Sequence, residues 1–392
     1  MRILYVNPFS QEVSGPDESL RTLLGALIPM GVDAHVVIPG PGPQVPRYEA
    51  LGVTVHYAPF SVIRRRLSMT RAALFPARAA RGTAAITRLA RRLNPSLIHS
   101  NTEVVVDSGL AARMLRLPDV LHYRGNSSDT PKWVFDHLVT IWTSIADHIF
   151  CVSRATASLF EQRNRGEKVE VLYNPVELRT YATTPRSDEV RASLGAGTGQ
   201  PLIGTVGRIH RRKDLETFVR AAALIAAQVP ESRFTIVGVA TGNAEQAYQR
   251  EVERLIGELN LESRVTFSGP RRDIAAVMNA LDVFVNTSHH EGFGRVIAEA
   301  MAASRPVVVG DEGAPPELVD LGRCGLLARP NDPQDFSAQV LRLLRSPNEA
   351  AALGGRALDR AQLFDTQTVA TRVLARYEKL ISSFSRSSPG PR

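Results

Sequence analysis

Two glutamates, Glu291 and Glu299, stand eight residues apart around Gly292-Phe293-Gly294. The apolar run just before them, Asp282-Val283-Phe284-Val285-Asn286, reads as a buried parallel strand, and 295–303 reads as a helix. On one unbroken helix the two carboxylates would lie about 12 Å and about 80° apart and could not share a ligand. A break at Gly292 and Gly294 changes that. Glu291 then sits on a loop at the strand's C-terminal end, and Glu299 sits one turn inside the helix. The amides of Gly292, Phe293 and Gly294 face outward at the helix N-terminus, where an anionic group is favoured. Flanking carboxylates suit sugar hydroxyls. The combination describes a pocket for a sugar attached to a phosphate.

A second stretch adds positive charge: Gly204-Thr205-Val206-Gly207-Arg208-Ile209-His210-Arg211-Arg212-Lys213-Asp214. A strand is expected to end at Gly207 and a helix to begin near Asp214, its N-cap. Arg208 and Lys213 then bracket the loop, where two cations can clamp a diphosphate and stabilise it as it leaves. Only four of the 47 basic residues are lysines (Lys132, Lys168, Lys213 and Lys379), so a compact ammonium is retained here in a chain that otherwise uses guanidinium. A solvated basic loop is the plainer alternative. Gly238 and Gly269 each follow an apolar run and would let backbone approach a flat ring closely.

These segments resemble the retaining glycosyltransferases of the large GT4 type. Glu291 and Glu299 match that family's E-x7-E motif. The match runs on through Glu299-Ala300-Met301-Ala302, Arg305-Pro306-Val307-Val308, Gly313, Pro316-Glu317 and Gly325-Leu326-Leu327. It covers most of the C-terminal half and, more faintly, the whole chain. Ser304 stands where the family usually has glycine, and Asp214 replaces the glycine that ends its G-R-x-x-x-x-K-G phosphate loop.

The resemblance implies roles for single residues. Glu291 would meet the transferred sugar's hydroxyls and the developing oxocarbenium charge. Glu299 would accept hydrogen bonds from two ribose hydroxyls. The loop Pro270-Arg271-Arg272 would contact the base, largely through main chain. Ser14-Gly15-Pro16 stands where a glycine pair is usual, with only Gly15 present. His122, in Leu121-His122-Tyr123-Arg124-Gly125-Asn126, matches a histidine that touches the sugar, although a lone histidine is as readily structural. Asn101 and Arg124 are further candidates at the cleft edge.

These residues need a scaffold, and the chain alternates apolar runs with helical patterns. Strands are expected at 3–7, 34–38, 53–57, 97–100, 120–123, 148–152 and 169–173, then at 202–206, 234–237, 265–268, 283–286 and 307–309. Helices such as 18–29, 78–93 and 133–146 lie between them. The fold class is therefore α/β: two doubly wound Rossmann-like domains facing across a cleft, the arrangement called GT-B in the family. The expected limits are 1–185 for an acceptor-side domain and 186–365 for a nucleotide-sugar domain. A helix at 366–384 would pack back on the first, leaving a tail at 385–392.

With 392 residues, two domains are natural, and 44% hydrophobic with 22% charged residues is ordinary for a globular protein. No apolar run approaches the roughly 18 residues that span a bilayer. The N-terminal residues 2–8 read as a first strand rather than a signal peptide. Cys151 and Cys324 match no metal or redox spacing, and buried thiols in a reducing cytoplasm are expected. The net charge is +8, and 50–102 holds no acid but nine arginines: Arg64, Arg65, Arg66, Arg71, Arg78, Arg81, Arg88, Arg91 and Arg92. The basic stretch Arg64–Arg92 could lie on an anionic membrane surface or grip an acidic acceptor, and a solvated helix face is as good a reading. Nucleic acid is disfavoured, since no finger, RNA-binding signature or aromatic platform accompanies the charge.

The expectation is a retaining hexosyltransferase that uses a nucleoside diphosphate sugar and a glycan or lipid-linked hydroxyl acceptor. It would serve envelope, exopolysaccharide or glycolipid synthesis, in the cytoplasm or peripherally on the membrane's inner face. No Asp-x-Asp occurs, and Arg208 with Lys213 can supply a metal's charge, so neither cofactor nor metal is expected. The alternatives are a sugar-phosphate phosphorylase or epimerase of related fold, or a non-catalytic nucleotide-sugar-binding scaffold. A nicotinamide dehydrogenase is disfavoured, because no Gly-x-Gly-x-x-Gly follows any strand.

Overall fold

The computed structural model describes residues 1–9, 14–63, 69–125, 132–163 and 168–387. Two compact units emerge: Met1–Pro175 with the segment from Thr366 onward, and Val176–Asp365. The division thus falls at 175/176, ahead of the expected 185/186. Val176 donates to the Phe364 carbonyl at 2.8 Å, and the Tyr181 carbonyl accepts from Asn279 at 2.9 Å. The polar run after Pro175 is therefore part of the second unit and no linker.

Unit 1 contains β1 (Arg2–Val6), α1 (Gly15–Leu27), β2 (Asp33–Ile38), α2 (Val45–Glu49), β3 (Thr54–Tyr57), α3 (Met69–Leu93), β4 (Leu97–Ser100), α4 (Asp107–Leu115), β5 (Asp119–Tyr123), α5 (Lys132–Ile145), β6 (His148–Cys151), α6 (Arg154–Ala157) and β7 (Val169–Val171). The strands form a parallel seven-stranded sheet in the order β3-β2-β1-β4-β5-β6-β7. Val6 lies opposite both Val37 and Ser100. Alternate residues of one strand feed two cores, as the pleat requires. Ile3 and Tyr5 pack with Leu20, Leu23 and Leu24 of α1, while Leu4 and Val6 pack with Ile86 of α3 and Ala111 of α4. α3 starts well before the expected residue 78 and runs through Pro76, although an interior proline forfeits a helical hydrogen bond.

Unit 2 contains α7 (Leu178–Thr183), α8 (Asp188–Ser193), β8 (Leu202–Val206), α9 (Leu215–Ala226), β9 (Arg233–Val237), α10 (Asn243–Glu258), β10 (Val265–Phe267), α11 (Ile274–Ala280), β11 (Val283–Asn286), α12 (Arg295–Ala302), β12 (Val307–Gly310), α13 (Pro315–Leu318), β13 (Leu326–Ala328), α14 (Pro333–Arg345) and α15 (Pro347–Ala361). Its parallel six-stranded sheet has the order β10-β9-β8-β11-β12-β13. The edge strand β13 was not among the expected strands; at three residues it is too short to show a period.

Helix α16 (Thr366–Ser387) then returns to unit 1, where Val369, Val373 and Tyr377 join the α1 core. It continues through Ser385–Ser387, which the expected tail had claimed; Ser388–Arg392 lie outside the described residues. Both cysteines are buried. Among the described residues no helix is long and apolar enough to cross a membrane.

Charge also fastens α16. Glu170 on β7 accepts from Arg372 at 2.9 Å and Arg376 at 2.7 Å and faces His148 at 3.3 Å. Burial alone would raise the Glu170 pKa, but hydrogen bonds from His148, Arg372 and Arg376 hold it down at about 2. A depressed carboxyl stabilises the fold above its unfolded pKa, and that contribution fades as pH falls toward the folded value. Glu170→Gln should therefore cost about 2 kcal/mol at neutral pH. The gap to wild type should shrink between pH 4.5 and 2 in urea unfolding; a gap independent of pH would refute this role.

Candidate functional site

In unit 2 the loop after β8 is folded around one lysine. A short 3-10 turn, Arg211–Lys213, is closed by the Lys213 N–H donating to the His210 carbonyl at 2.7 Å. Asp214 follows in a left-handed conformation (φ 45°) and caps α9 by accepting from the Thr217 N–H at 3.3 Å. A Cβ placed on Gly207 would come within 3.2 Å of Lys213 Cε, so glycine there makes room for the lysine. Lys213 Nζ donates to Glu291 Oε1, on the loop after β11. The two loops are further laced where Thr287 Oγ1 donates to the Lys213 carbonyl and the His289 N–H to the Arg212 carbonyl, both at 2.8 Å.

The backbone at Glu291 is gripped from β12 as well. The Ala314 N–H donates to the Glu291 carbonyl at 3.1 Å, and a Cβ on Gly313 (φ 70°) would lie 2.9 Å from that oxygen. His290, immediately before, is also left-handed at φ 50°. Its ring and that of His289 both face Glu312, and His289 reaches Asp214 at 3.4 Å. Burial would raise the Glu291 pKa. The Lys213 charge and hydrogen bond, the Ser288 hydroxyl and the Arg212 charge outweigh it and hold the carboxyl ionised below its usual range.

The other expected residues divide. Gly292 and Gly294 precede α12, with Gly294 left-handed at φ 86°, and their amides have no acceptor among the described residues. The Phe293 ring turns inward, edge-on to Phe364 at 5.5 Å. Glu299 is 6% exposed, accepts from Arg295 at 2.7 Å and takes the Tyr181 hydroxyl. Arg208 is half exposed and faces Glu245 at 3.6 Å, so it does not join the Lys213–Glu291 pair. Arg271 is committed to Asp273 at 2.6 Å and to Ser193 at 3.0 Å. Gly238 donates to the Gly269 carbonyl at 3.0 Å, and a Cβ on it would fall 1.8 Å from the Gly207 carbonyl oxygen. That close approach of loops, rather than of a ring, is what excludes a side chain at Gly238.

Unit 1 gathers its expected residues at the C-terminal ends of β1, β4 and β5. Arg124 donates to the Asn101 carbonyl at 2.9 Å, to Asn101 Oδ1 at 3.0 Å, to His122 Nδ1 at 3.1 Å and to Asn174 Oδ1. Asn101 donates in turn to Asn7 and to the Pro16 carbonyl, both at 3.3 Å. A guanidinium only donates, so His122 carries its proton on Nε2. That atom is buried and has no acceptor among the described residues. Burial, then the Arg124 charge and His99, holds the His122 pKa well below the ordinary range, so the ring is a neutral donor. Gly15 is the first residue of α1, and a Cβ there would meet nothing within 4 Å.

Sequence reading missed Asn7 and Asp17. Asn7 Nδ2 donates to Asp17 at 2.6 Å, and Asp17 accepts the Ser14 N–H at 2.9 Å, pinning the start of α1. Burial raises the Asp17 pKa, partly offset by bonds from Ser14 and Asn7. Asn7 ends an apolar strand run, and that position was a readable signal.

Comparison with known proteins adds an independent line. The family described as glycosyl transferases group 1 matches residues 186–360, and glycosyltransferase family 4 matches 13–180. The D-inositol 3-phosphate glycosyltransferase of Nocardia farcinica is 31% identical over 228 residues, 57% of this chain and 50% of that one. That of Corynebacterium jeikeium is 32% identical over 217 residues, 53% and 51% of the two chains. This chain thus spans about half the length of the curated relatives it matches. Among solved structures, Anabaena HepE in complex with UDP-glucose is 26% identical with a TM-score of 0.82, covering 97% of this chain and 100% of the other. Sucrose-phosphate synthase from Thermosynechococcus elongatus, at 22% identity and TM-score 0.78, shares the fold.

Removing the ammonium isolates its effect on Glu291. In Lys213→Met, burial acts with less opposition, and the Glu291 carboxyl should titrate at higher pH than in the wild type. Carbon-13 NMR titration, assigned with Glu291→Gln, reads this directly. An unchanged midpoint would mean that Lys213 does not set the charge of Glu291.

Proposed function

The chain belongs to the GT4-type glycosyltransferases, and we propose that it moves a hexose from a nucleoside diphosphate sugar to a hydroxyl acceptor, retaining the anomeric configuration and needing no metal. The observation that carries this reading is the Lys213–Glu291 pair. It sets a cation suited to a departing diphosphate beside a carboxylate suited to sugar hydroxyls. The amides of Gly292 and Gly294 add uncharged donors for phosphate oxygens at the start of α12.

In the proposed reaction the acceptor hydroxyl attacks the face that the diphosphate vacates, and a phosphate oxygen takes its proton. Lys213 stabilises the negative charge left on the diphosphate, and Glu291 stabilises positive charge on the sugar ring. A double displacement would instead need Glu291 as nucleophile. Its ion pair with Lys213 lowers the basicity of the carboxylate and with it its strength as a nucleophile, which favours the first route. Arg208 assists only after leaving Glu245. Glu299 receives the ribose by giving up Arg295 or Tyr181. The base is recognised by main chain near Arg271, whose side chain is held by Asp273. Unit 1 handles the acceptor side, where His122 Nε2 donates to a sugar hydroxyl and Arg124 orients the ring.

The Anabaena neighbour's complexes with UDP and UDP-glucose make UDP-glucose the first donor to test. A glycan or lipid-linked acceptor at an anionic membrane surface fits the exposed Arg78, Arg81, Arg88, Arg91 and Arg92 of α3, beside Leu74 at 52% exposure. Arg64, Arg65 and Arg66 of that stretch lie outside the described residues, as does the side chain of Arg71.

Thermal denaturation with UDP, GDP, ADP and their sugars tests the donor. One diphosphate at about 100 times its dissociation constant should add roughly 2.7 kcal/mol, raising the melting temperature by several degrees. EDTA should not alter the shift, and Lys213→Ala should abolish it. Transfer lost in EDTA and restored by Mg²⁺ would overturn metal independence; no shift with any nucleotide would overturn the donor class.

A further inference from the structure

Apart from the polar network, unit 1 carries an open groove of about 590 Å³ between α3 and the segment following the edge strand β3. Arg81, Arg88, Arg92 and Leu89 line one wall, and Tyr57 and Pro59 line the other. Arg88 and Arg92 are about 6 Å apart along the helix axis, and Arg81 lies about 10 Å further toward its start, on the same face. Like charges so placed repel each other. Among the described residues none of the three has a carboxylate partner; Arg88 has only a 3.3 Å bond to the Ala84 carbonyl. Some exposed arginines elsewhere are paired, as Arg211 is with Glu251 at 2.6 Å and Arg342 with Glu349, while others, such as Arg220 and Arg250, have no carboxylate partner among the described residues. What sets these three apart is that all of them line one concavity.

The groove is built firmly. A Cβ on Gly82 would sit 2.0 Å from Asp107 Oδ2 and 2.8 Å from Phe60 Cα, so α3 lies directly on the segment that follows β3. Asp107 receives both the Ser61 N–H and its hydroxyl at 2.5 Å, and the Ile63 N–H donates to the Val104 carbonyl at 2.8 Å. Those bonds tie the groove to the loop after β4, which begins with Asn101. Both features lie at the C-terminal edge of one sheet, β3 being two strands from β1 and hence about 10 Å away. Tyr57, 54% exposed, offers an aromatic face at the rim.

We propose that this groove is a phosphate-binding subsite that holds a phosphorylated arm of the acceptor. Arg88 and Arg92 grip one phosphate through their planar donor forks, Arg81 engages a second anionic group, and Tyr57 covers the carbon skeleton. Phosphate fits because the three guanidiniums line one concavity, and that phosphate can belong to a lipid headgroup at the membrane surface or to a soluble acceptor. Calling the ligand an acceptor rests on the transfer reading above; binding at the groove does not.

Calorimetric titration of the full chain with inorganic pyrophosphate, and separately with phosphatidylcholine vesicles doped with phosphatidic acid, tests this. The comparison uses wild type, Arg88→Ala/Arg92→Ala, a charge-matched Arg220→Ala/Arg250→Ala control, and Lys213→Ala. The expected result is a saturable component weakened about tenfold or more in the groove variant alone. Its presence with pyrophosphate assigns a soluble phosphate; its presence with vesicles only assigns a lipid headgroup. Retention in Lys213→Ala separates it from the nucleotide site, whose failure would remove a different component. Equal weakening in the control pair, or no saturable component lost in the groove variant, would overturn the proposal.

Discussion

The ion pair between Lys213 and Glu291 is the constraint around which unit 2 is arranged. Its partners lie 78 residues apart and on loops following different strands. Both are largely withdrawn from water, at 25% and 19% side-chain exposure, so neither charge could stay there alone without a large desolvation cost. The sheet order places β8 beside β11, which brings the two loops together. A shift of one strand's register would turn Lys213 away from Glu291 and leave both charges uncompensated.

That arrangement is held by backbone in sparsely populated conformations. Asp214, His290 and Ser304 all have positive φ without being glycine, and Gly294 and Gly313 share the sign. Each non-glycine residue there costs of order 1 kcal/mol. Asp214 and Ser304 are the positions in unit 2 at which this chain departs from glycine in the pattern it resembles. Asp214 recovers part of the cost by capping α9. Ser304 is fixed from the other side, because a Cβ on Gly354 of α15 would fall 2.3 Å from its carbonyl oxygen. The departures therefore keep the backbone path and change only how it is supported.

The alternation of strand and helix was readable because parallel strands buried on both faces appear as unbroken apolar runs such as Val283–Asn286. The three-residue β13 lacks the length for such a run. The unit boundary was hidden because polarity at 179–188 marks the surface of α7 and α8, while Tyr181 within it and Arg191 just beyond it are buried. Glu291 and Lys213 were each legible as chemistry, but their contact was not. Arg208 and Arg271 were legible as cations, yet their acids, Glu245 and Asp273, decide where the guanidiniums point. The Arg271 pairing is two residues away and could have been read; that of Arg208 depends on where α10 packs.

The two units meet polarity in different ways. Unit 2 concentrates formal charge: an ionised carboxylate, an ammonium and the further cation Arg212. Unit 1 instead buries neutral groups. His99 is depressed to about 3 and His122 well below its usual range, chiefly by desolvation. Asn7 and Asn101 are fully buried, and Arg124 bonds Asn101 and His122, with Asn7 joined through Asn101. On the proposed reading, the difference follows from what each unit would hold. A diphosphate needs opposite charge. A sugar or alcohol hydroxyl is uncharged and best matched by oriented dipoles, since a bare charge against it would have to be desolvated without repayment. Raising the pH cannot charge His122, and lowering it protonates the ring only against Arg124, so its Nε2 stays a donor across the physiological range.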